Sequence, residues 1–144
     1  MLAFTFIAGL VLIPGAVSAE EAVFEDGMKG RQVYIYYFYF TPRCDECLIL
    51  EEGLQKVLDG DFPRELKGNR LIFKKINLSD PDPGSKEIIR ELRVRRQLLL
   101  LVSGETKVNL TRDAFRYVET QYDHFHKIMK DAIKQALSHE TTGV

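Results

Sequence analysis

The sequence predicts a single α/β domain in which a mixed sheet of about four strands is covered by helices on both faces. Eight consecutive β-branched or aromatic residues, Val33 to Phe40, show no polar alternation, as is typical of a strand buried on both faces. A helical pattern follows directly. Two further apolar runs, at 70–77 and 98–102, are separated by a second helical pattern, which favours a layered α/β arrangement.

Length and composition are those of one ordinary globular domain. The chain has 144 residues, 45% hydrophobic and 28% charged, so it can bury a real core and does not belong to the disordered classes. Its 20 Lys and Arg residues against 21 Asp and Glu residues give a net charge of −1. This balance does not favour nucleic acid or an anionic membrane surface as a partner, and we expect a monomer.

Residues 1–19 are apolar and uncharged, and a polar region begins at Glu20. The run is broken by Pro14-Gly15 and ends in Val17-Ser18-Ala19, small residues of the kind that signal peptidase accepts. We therefore predict a signal peptide cut after Ala19 and a secreted or periplasmic protein. No Lys or Arg precedes the apolar core, and about 20 apolar residues can also form a retained membrane anchor that leaves the domain outside the cytoplasm.

The remaining predicted elements are three helices and three strands. They are a helix from Asp45 to about Asp59 ending at Gly60, a strand at 70–77, a helix over 85–94 capped near Ser85, a hairpin of 98–102 with 106–110, and a last amphipathic helix with its apolar face from Tyr122 to Leu137. The strand-helix-strand start predicts a parallel pair. We assign 20–32 to a lead-in, 33–137 to the domain and 138–144 to a flexible tail.

The two cysteines, Cys44 and Cys47, stand where the first strand passes into the first helix. We expect Cys44 exposed at the helix start and Cys47 more covered, one turn in. A bridge across two residues restrains the unfolded chain little, so stability alone explains the pair poorly. In thiol-disulfide exchange one thiolate attacks and a second thiol resolves the mixed disulfide. The pattern favours a redox dithiol, with Cys44 attacking and Cys47 resolving; an inert disulfide and a metal-handling dithiol are the alternatives.

The residues beside the pair act on the Cys44 thiolate with opposite signs. The helix start and Arg43 favour a lower pKa for Cys44, whereas Asp45 and Glu46 oppose it by repelling the thiolate. Pro42 belongs to the turn that leads into the pair.

A metal site is not indicated, because structural zinc needs four ligands and the chain has a single Cys-x-x-Cys. His124 and His126 are two residues apart on the polar face of the last helix, and we predict both to be solvated. No cofactor beyond a Cys44–Cys47 redox disulfide is expected.

The order of elements, with Cys-x-x-Cys directly after the first buried strand, resembles the thioredoxin-like fold superfamily from about Val33 to Leu137. This resemblance implies a three-layer αβα sandwich and a thiol-disulfide oxidoreductase that transfers electrons to or from a protein partner. The local sequence at 41–47, with Leu50-Glu51 and 113–117, is similar to a small bacterial branch, the nitrophenyl compound nitroreductase subunit ArsF family. That likeness implies that the protein supplies redox equivalents to a partner. We do not assign a nitroaromatic substrate to this chain on the basis of it.

Three features depart from the thioredoxin pattern. Phe38 stands where a buried Asp is usual, Arg43 and Asp45-Glu46 replace the Trp and the Gly-Pro of the active site, and Arg96 stands in place of the cis-Pro that faces the dithiol. These departures cast doubt on general reductase activity and leave the nucleophile in place. A non-catalytic partner-binding subunit with a structural or vestigial disulfide is the alternative function.

A basic cluster, formed by Arg90, Arg93, Arg95 and Arg96, precedes the third strand. We interpret this cluster either as a solvated helix end, where the helix dipole favours basic side chains, or as a docking patch for an acidic partner. Arg95 or Arg96 would also favour the Cys44 thiolate if either faced the site.

Overall fold

The computed structural model of the chain describes residues 32–139. The predicted signal peptide or anchor at 1–19, the lead-in up to residue 31 and the tail from residue 140 lie outside these residues. Within 32–139, none of the helices combines the length and the apolar composition needed to cross a lipid bilayer.

Four strands form one mixed sheet: β1 (Val33–Tyr39), β2 (Leu71–Asn77), β3 (Leu98–Ser103) and β4 (Thr106–Asn109). Their spatial order is β2-β1-β3-β4. β1 runs parallel to β2, with Val33 opposite Leu71, and antiparallel to β3, with Val33 opposite Ser103. β3 and β4 form a hairpin whose turn contains Gly104 at a φ of 55°, a conformation that glycine adopts without steric cost. The predicted mixed sheet with a C-terminal hairpin is confirmed.

Five helices cover the two faces of this sheet: α1 (Asp45–Asp61), α2 (Pro63–Lys67), α3 (Pro83–Leu92), α4 (Thr111–Tyr117) and α5 (Tyr122–His139). Helices α1, α4 and α5 share the larger hydrophobic core on one face, and α3 packs over the smaller core on the other. The structure is thus a three-layer αβα sandwich, as the sequence predicts.

Strand β1 lies in the middle of the sandwich, which explains its unbroken apolar sequence. Successive side chains of a strand point to opposite faces, and here both faces are covered. Ile35 and Tyr37 belong to the core under α1 and α5, whereas Tyr36 and Phe38 belong to the core under α3. Polar alternation would place a polar group in one of these cores.

Three predicted helix boundaries differ from the structure: the end of α1 and both ends of α3, which stops at Leu92 because Arg93 adopts a left-handed conformation. α1 continues through Gly60 to Asp61, since Gly60 does not adopt the positive φ of a glycine that ends a helix. It ends where Phe62 enters the core and Pro63, which lacks an N–H, begins α2. α3 begins at Pro83 rather than near Ser85, since the Asp82 carboxylate caps it by accepting the Ser85 N–H at 3.0 Å.

The short helices α2 and α4 are absent from the elements predicted from the sequence. α4 had a readable signal, because Leu110, Ala114 and Val118 recur every four residues and all three are buried in the larger core. α2 has five residues and no buried side chain, so no apolar periodicity marks it.

Candidate dithiol site

The end of β1 and the start of α1 place the two cysteines together. The connecting turn contains a cis Thr41–Pro42 peptide bond and is tied to the loop after β2, because the Thr41 N–H donates to Ser79 Oγ at 2.9 Å. Cys44 is the N-cap residue of α1, and Cys47 lies one turn into the helix. Their sulfur atoms are joined in a disulfide 2.08 Å long.

The two sulfurs differ in accessibility. Cys44 is exposed, whereas Cys47 is only 4% exposed, as expected for a pair at a helix start. The backbone N–H of Cys47 donates to Cys44 Sγ at 3.2 Å. When the pair is reduced, this N–H and the positive end of the helix dipole are placed to stabilise negative charge on Cys44. Cys44 is therefore the more accessible of the two cysteines.

The inner sulfur is contacted by Gln97, which lies between α3 and β3. Its Nε2 donates to Cys47 Sγ at 3.2 Å and to Tyr37 Oη at 3.1 Å. Burial raises the pKa of Tyr37 above its ordinary value of 10.0, against the hydrogen bond from Gln97 and the charge of Arg43, which lower it. The phenol is therefore neutral at physiological pH. Neither residue is predicted from the sequence as part of the site, since no motif marks a glutamine before a strand or a tyrosine within an aromatic run.

Arg43 is held beside the site by two contacts. Its guanidinium carbon lies 3.7 Å from the centroid of the Tyr39 ring, and its Nη1 forms an ion pair with Glu51 of α1. Glu51 also pairs with Lys75 of β2. Because the Glu51 carboxylate compensates much of the Arg43 charge, the effect of Arg43 on the Cys44 thiolate is weaker than the sequence implies. Asp45 and Glu46 are exposed in the first turn.

The positions that depart from the thioredoxin pattern are spread over both faces of the sheet. Phe38 is fully buried in the smaller core under α3, on the face of the sheet away from α1. Its neighbour in β1, Tyr37, accepts a hydrogen bond from Gln97, the residue that contacts Cys47. Arg96 is exposed. The contact to the dithiol from this loop is made by the next residue, Gln97.

His124 of α5 is exposed, as predicted, whereas His126 is only partly exposed and pairs with Asp61. His126 Nε2 lies 2.5 Å from Asp61 Oδ2, and Asp61 also accepts from Lys130, which joins the end of α1 to α5. The His124 ring packs edge-on against Tyr117, with 4.4 Å between centroids. In the part of the chain that the structure describes, no group of three or more His, Cys, Asp or Glu side chains is arranged to hold a metal ion.

Comparisons with known proteins give structural likeness only. No family model and no curated protein matches the sequence. Among solved structures, Trxlp from Edwardsiella tarda EIB202 is similar over 76% of this chain and 92% of its own, with 17% identity and a TM-score of 0.44. A structure described as that of a malarial protein is similar over 76% of this chain and 97% of its own, with 12% identity and a TM-score of 0.41. The fold assignment rests on the sheet order and the position of the disulfide.

Proposed function

We propose that the chain is an exported thiol-disulfide oxidoreductase, or a member of a redox relay, that exchanges its Cys44–Cys47 disulfide with a protein partner. The observation that carries this proposal is the asymmetry of the pair, with an exposed sulfur at a helix start and a covered sulfur one turn away. A merely structural bridge needs no such asymmetry. The resemblance to the ArsF family, which implies redox supply to a partner, supports the same function.

The exchange follows from this geometry. A partner thiolate attacks Cys44 Sγ, forming a Cys44–partner bond while the Cys44–Cys47 bond breaks and its electron pair leaves on Cys47. A second partner thiolate then attacks the partner sulfur and releases Cys44. The partner dithiol is oxidised to a disulfide, the protein gains two electrons, and the two protons of the partner thiols pass through solvent to the two cysteines. The reverse sequence reduces a partner disulfide, and the disulfide itself is the only redox group required.

Exposed residues around Cys44 suggest what the partner presents. Leu48 lies one helical turn after Cys44 and is 50% exposed, and Phe40, before the turn, is 46% exposed. Arg95 and Arg96 adjoin Gln97, and both are exposed. Within 32–139 neither arginine takes part in an ion pair. We propose a partner segment that carries apolar and acidic residues around its own cysteines.

The experiment is an intermediate trap in cells. Cys47→Ser leaves Cys44 without its resolving thiol, so mixed disulfides with partners should accumulate and disappear on reduction before electrophoresis. The matched control is Cys44→Ser with Cys47 intact, which should trap little because its sulfur is covered. Adding Arg95→Glu and Arg96→Glu to the trap should reduce capture. If Cys47→Ser captures no partner while Cys44 stays reactive, the exchange role is wrong and a non-catalytic binding subunit is favoured.

Export is proposed from the apolar character of residues 1–19. Cell fractionation with mass measurement of the mature chain tests it. A chain that begins at Glu20 in the exported fraction supports cleavage, an intact chain in the membrane fraction indicates an anchor, and an intact chain in the cytoplasm contradicts export.

A further inference from the structure

The two hydrogen bonds of Gln97 link the inner sulfur to a buried phenol, and exchange at the disulfide does not by itself require either of them. We propose that Gln97 is a catalytic hydrogen-bond donor to the Cys47 thiolate and that Tyr37 is the positioning residue that holds it. This inference rests on the proposed exchange function. It adds the hydrogen-bond donor that stabilises Cys47 as a thiolate, both when Cys47 leaves the disulfide and when it resolves a mixed disulfide.

The inner sulfur needs such a donor because it carries negative charge where water is scarce. Cys47 is 4% exposed, and burial disfavours the thiolate over the thiol. Its own backbone N–H is directed to Cys44 Sγ. No charged side chain among the described residues is buried, so none compensates this charge from within the core. Gln97 Nε2, at 3.2 Å, is the donor that reaches Cys47 Sγ.

Tyr37 explains why this amide is oriented toward the sulfur. A glutamine amide nitrogen carries two hydrogens, and here one is directed to Cys47 Sγ and the other to Tyr37 Oη at 3.1 Å. The Tyr37 side chain is fully buried in β1, so its oxygen is held at a fixed position, where it accepts from the amide nitrogen. Reversal of the amide would place the glutamine oxygen against the sulfur and lose the bond from nitrogen to the phenol oxygen.

The role is clearest in the resolving step. In the reduced protein the Cys44 thiolate attacks a partner disulfide, forms a Cys44–partner bond and expels one partner thiolate, which takes a proton from water. Cys47 then gives its proton to solvent, and its thiolate attacks Cys44 Sγ. The Cys44–Cys47 bond forms, and the second partner sulfur leaves with the electron pair and is protonated by water. Gln97 stabilises Cys47 while it is charged, which lowers its pKa and increases the thiolate fraction.

The two steps can be measured separately on the purified, reduced full chain with an aromatic disulfide, 5,5′-dithiobis(2-nitrobenzoate). Attack by Cys44 releases the first coloured thiolate, and resolution by Cys47 releases the second. In Gln97→Leu we expect the first release to be nearly unchanged. The second should be about ten- to a hundredfold slower at neutral pH, with its pH profile displaced upward by about one to two units, as for a lost hydrogen bond to a charged group.

Three variants separate this role from a structural one. Gln97→Glu keeps the side-chain size but replaces the donor by a carboxylate, so resolution should be slower than in Gln97→Leu. Tyr37→Phe should give an intermediate displacement of the same pH profile. Gln55→Leu is the matched control, because Gln55 is an exposed glutamine of α1 bonded to Asp59, and both releases should be unchanged.

An unchanged or faster second release in Gln97→Leu overturns the proposal, as does a slowing that is independent of pH. Since no cellular partner enters this assay, failure to capture partners with Cys47→Ser would contradict the exchange function alone. A normal capture together with unaltered resolution would contradict the role of Gln97 alone.

Discussion

A methyl group at Gly53, in the middle of α1, should reduce the stability of the domain. A Cβ built there would lie 2.8 Å from Val118 Cγ2 and 3.3 Å from Phe125 Cε1, so the close approach of α1 to α4 and α5 depends on this glycine. Val118 is a stiff β-branched residue that is 5% exposed, and it has little room to move. Gly53→Ala therefore tests whether the helix layer packs as described.

Two effects of opposite sign determine how much Gly53→Ala changes the free energy of unfolding. Replacing an interior helical glycine by alanine stabilises a helix by about 1 kcal/mol. Overpacking a rigid core contact costs about 2 kcal/mol, within the usual range. The expected net result is a loss of about 1 kcal/mol in the free energy of unfolding, or a fall of about 4 °C in Tm for a domain of this size. Gly60→Ala, in the same helix but facing open space, should instead stabilise by about 0.5 kcal/mol.

Urea unfolding of the oxidised proteins, followed by circular dichroism, measures both changes, provided that the m-values stay equal. The double variant Gly53→Ala with Val118→Ala removes the clashing methyl group, so its loss should be smaller than the sum of the two single losses. If Gly53→Ala is as stabilising as Gly60→Ala, the packing of α1 against α4 is not as described here.

Two further predictions concern the pH dependence of stability. The hydrogen bond from Lys130, and after it that from His126, lowers the pKa of Asp61 below 3.8, so its contribution is present at neutral pH and lost as pH falls through the folded-state pKa. Asp61→Asn should flatten the acid loss of stability below about pH 4 in urea titrations, and an equally steep loss would contradict this. Burial, and after it the nearby Tyr34, raises the pKa of Tyr36 to about 12. As pH rises above about 10, the Tyr36 hydroxyl therefore ionises in the unfolded state before it ionises in the folded state, and the free energy of unfolding falls. Tyr36→Phe should reduce that alkaline loss, and unchanged unfolding midpoints above about pH 10 would refute the assignment.

The elements that the sequence predicted well are those whose local pattern and tertiary burial agree. β1 is apolar throughout because both of its faces are covered, and the last helix has a clear apolar stripe in which Phe125, Met129, Ile133 and Leu137 are buried. Boundaries failed where long-range packing outweighed a local signal. Gly60 suggested a helix end, yet α1 continues to Asp61, whose carboxylate is bound by His126 and Lys130 of α5.

The sequence by itself determined the fold class and the position of the cysteine pair, because strand and helix periodicity, the Pro-containing turn and the Cys-x-x-Cys spacing are local properties of the chain. Only the tertiary structure decided which groups surround the two sulfurs. Gln97 lies 50 residues from Cys47 and 60 residues from Tyr37, and their meeting depends on the pairing of β1 with β3. Glu51 meets Lys75 for a similar reason, since β2 runs parallel to β1 beside α1. Contacts of this range follow from how strands and layers pack against one another, which the pattern within a single helix or strand does not specify.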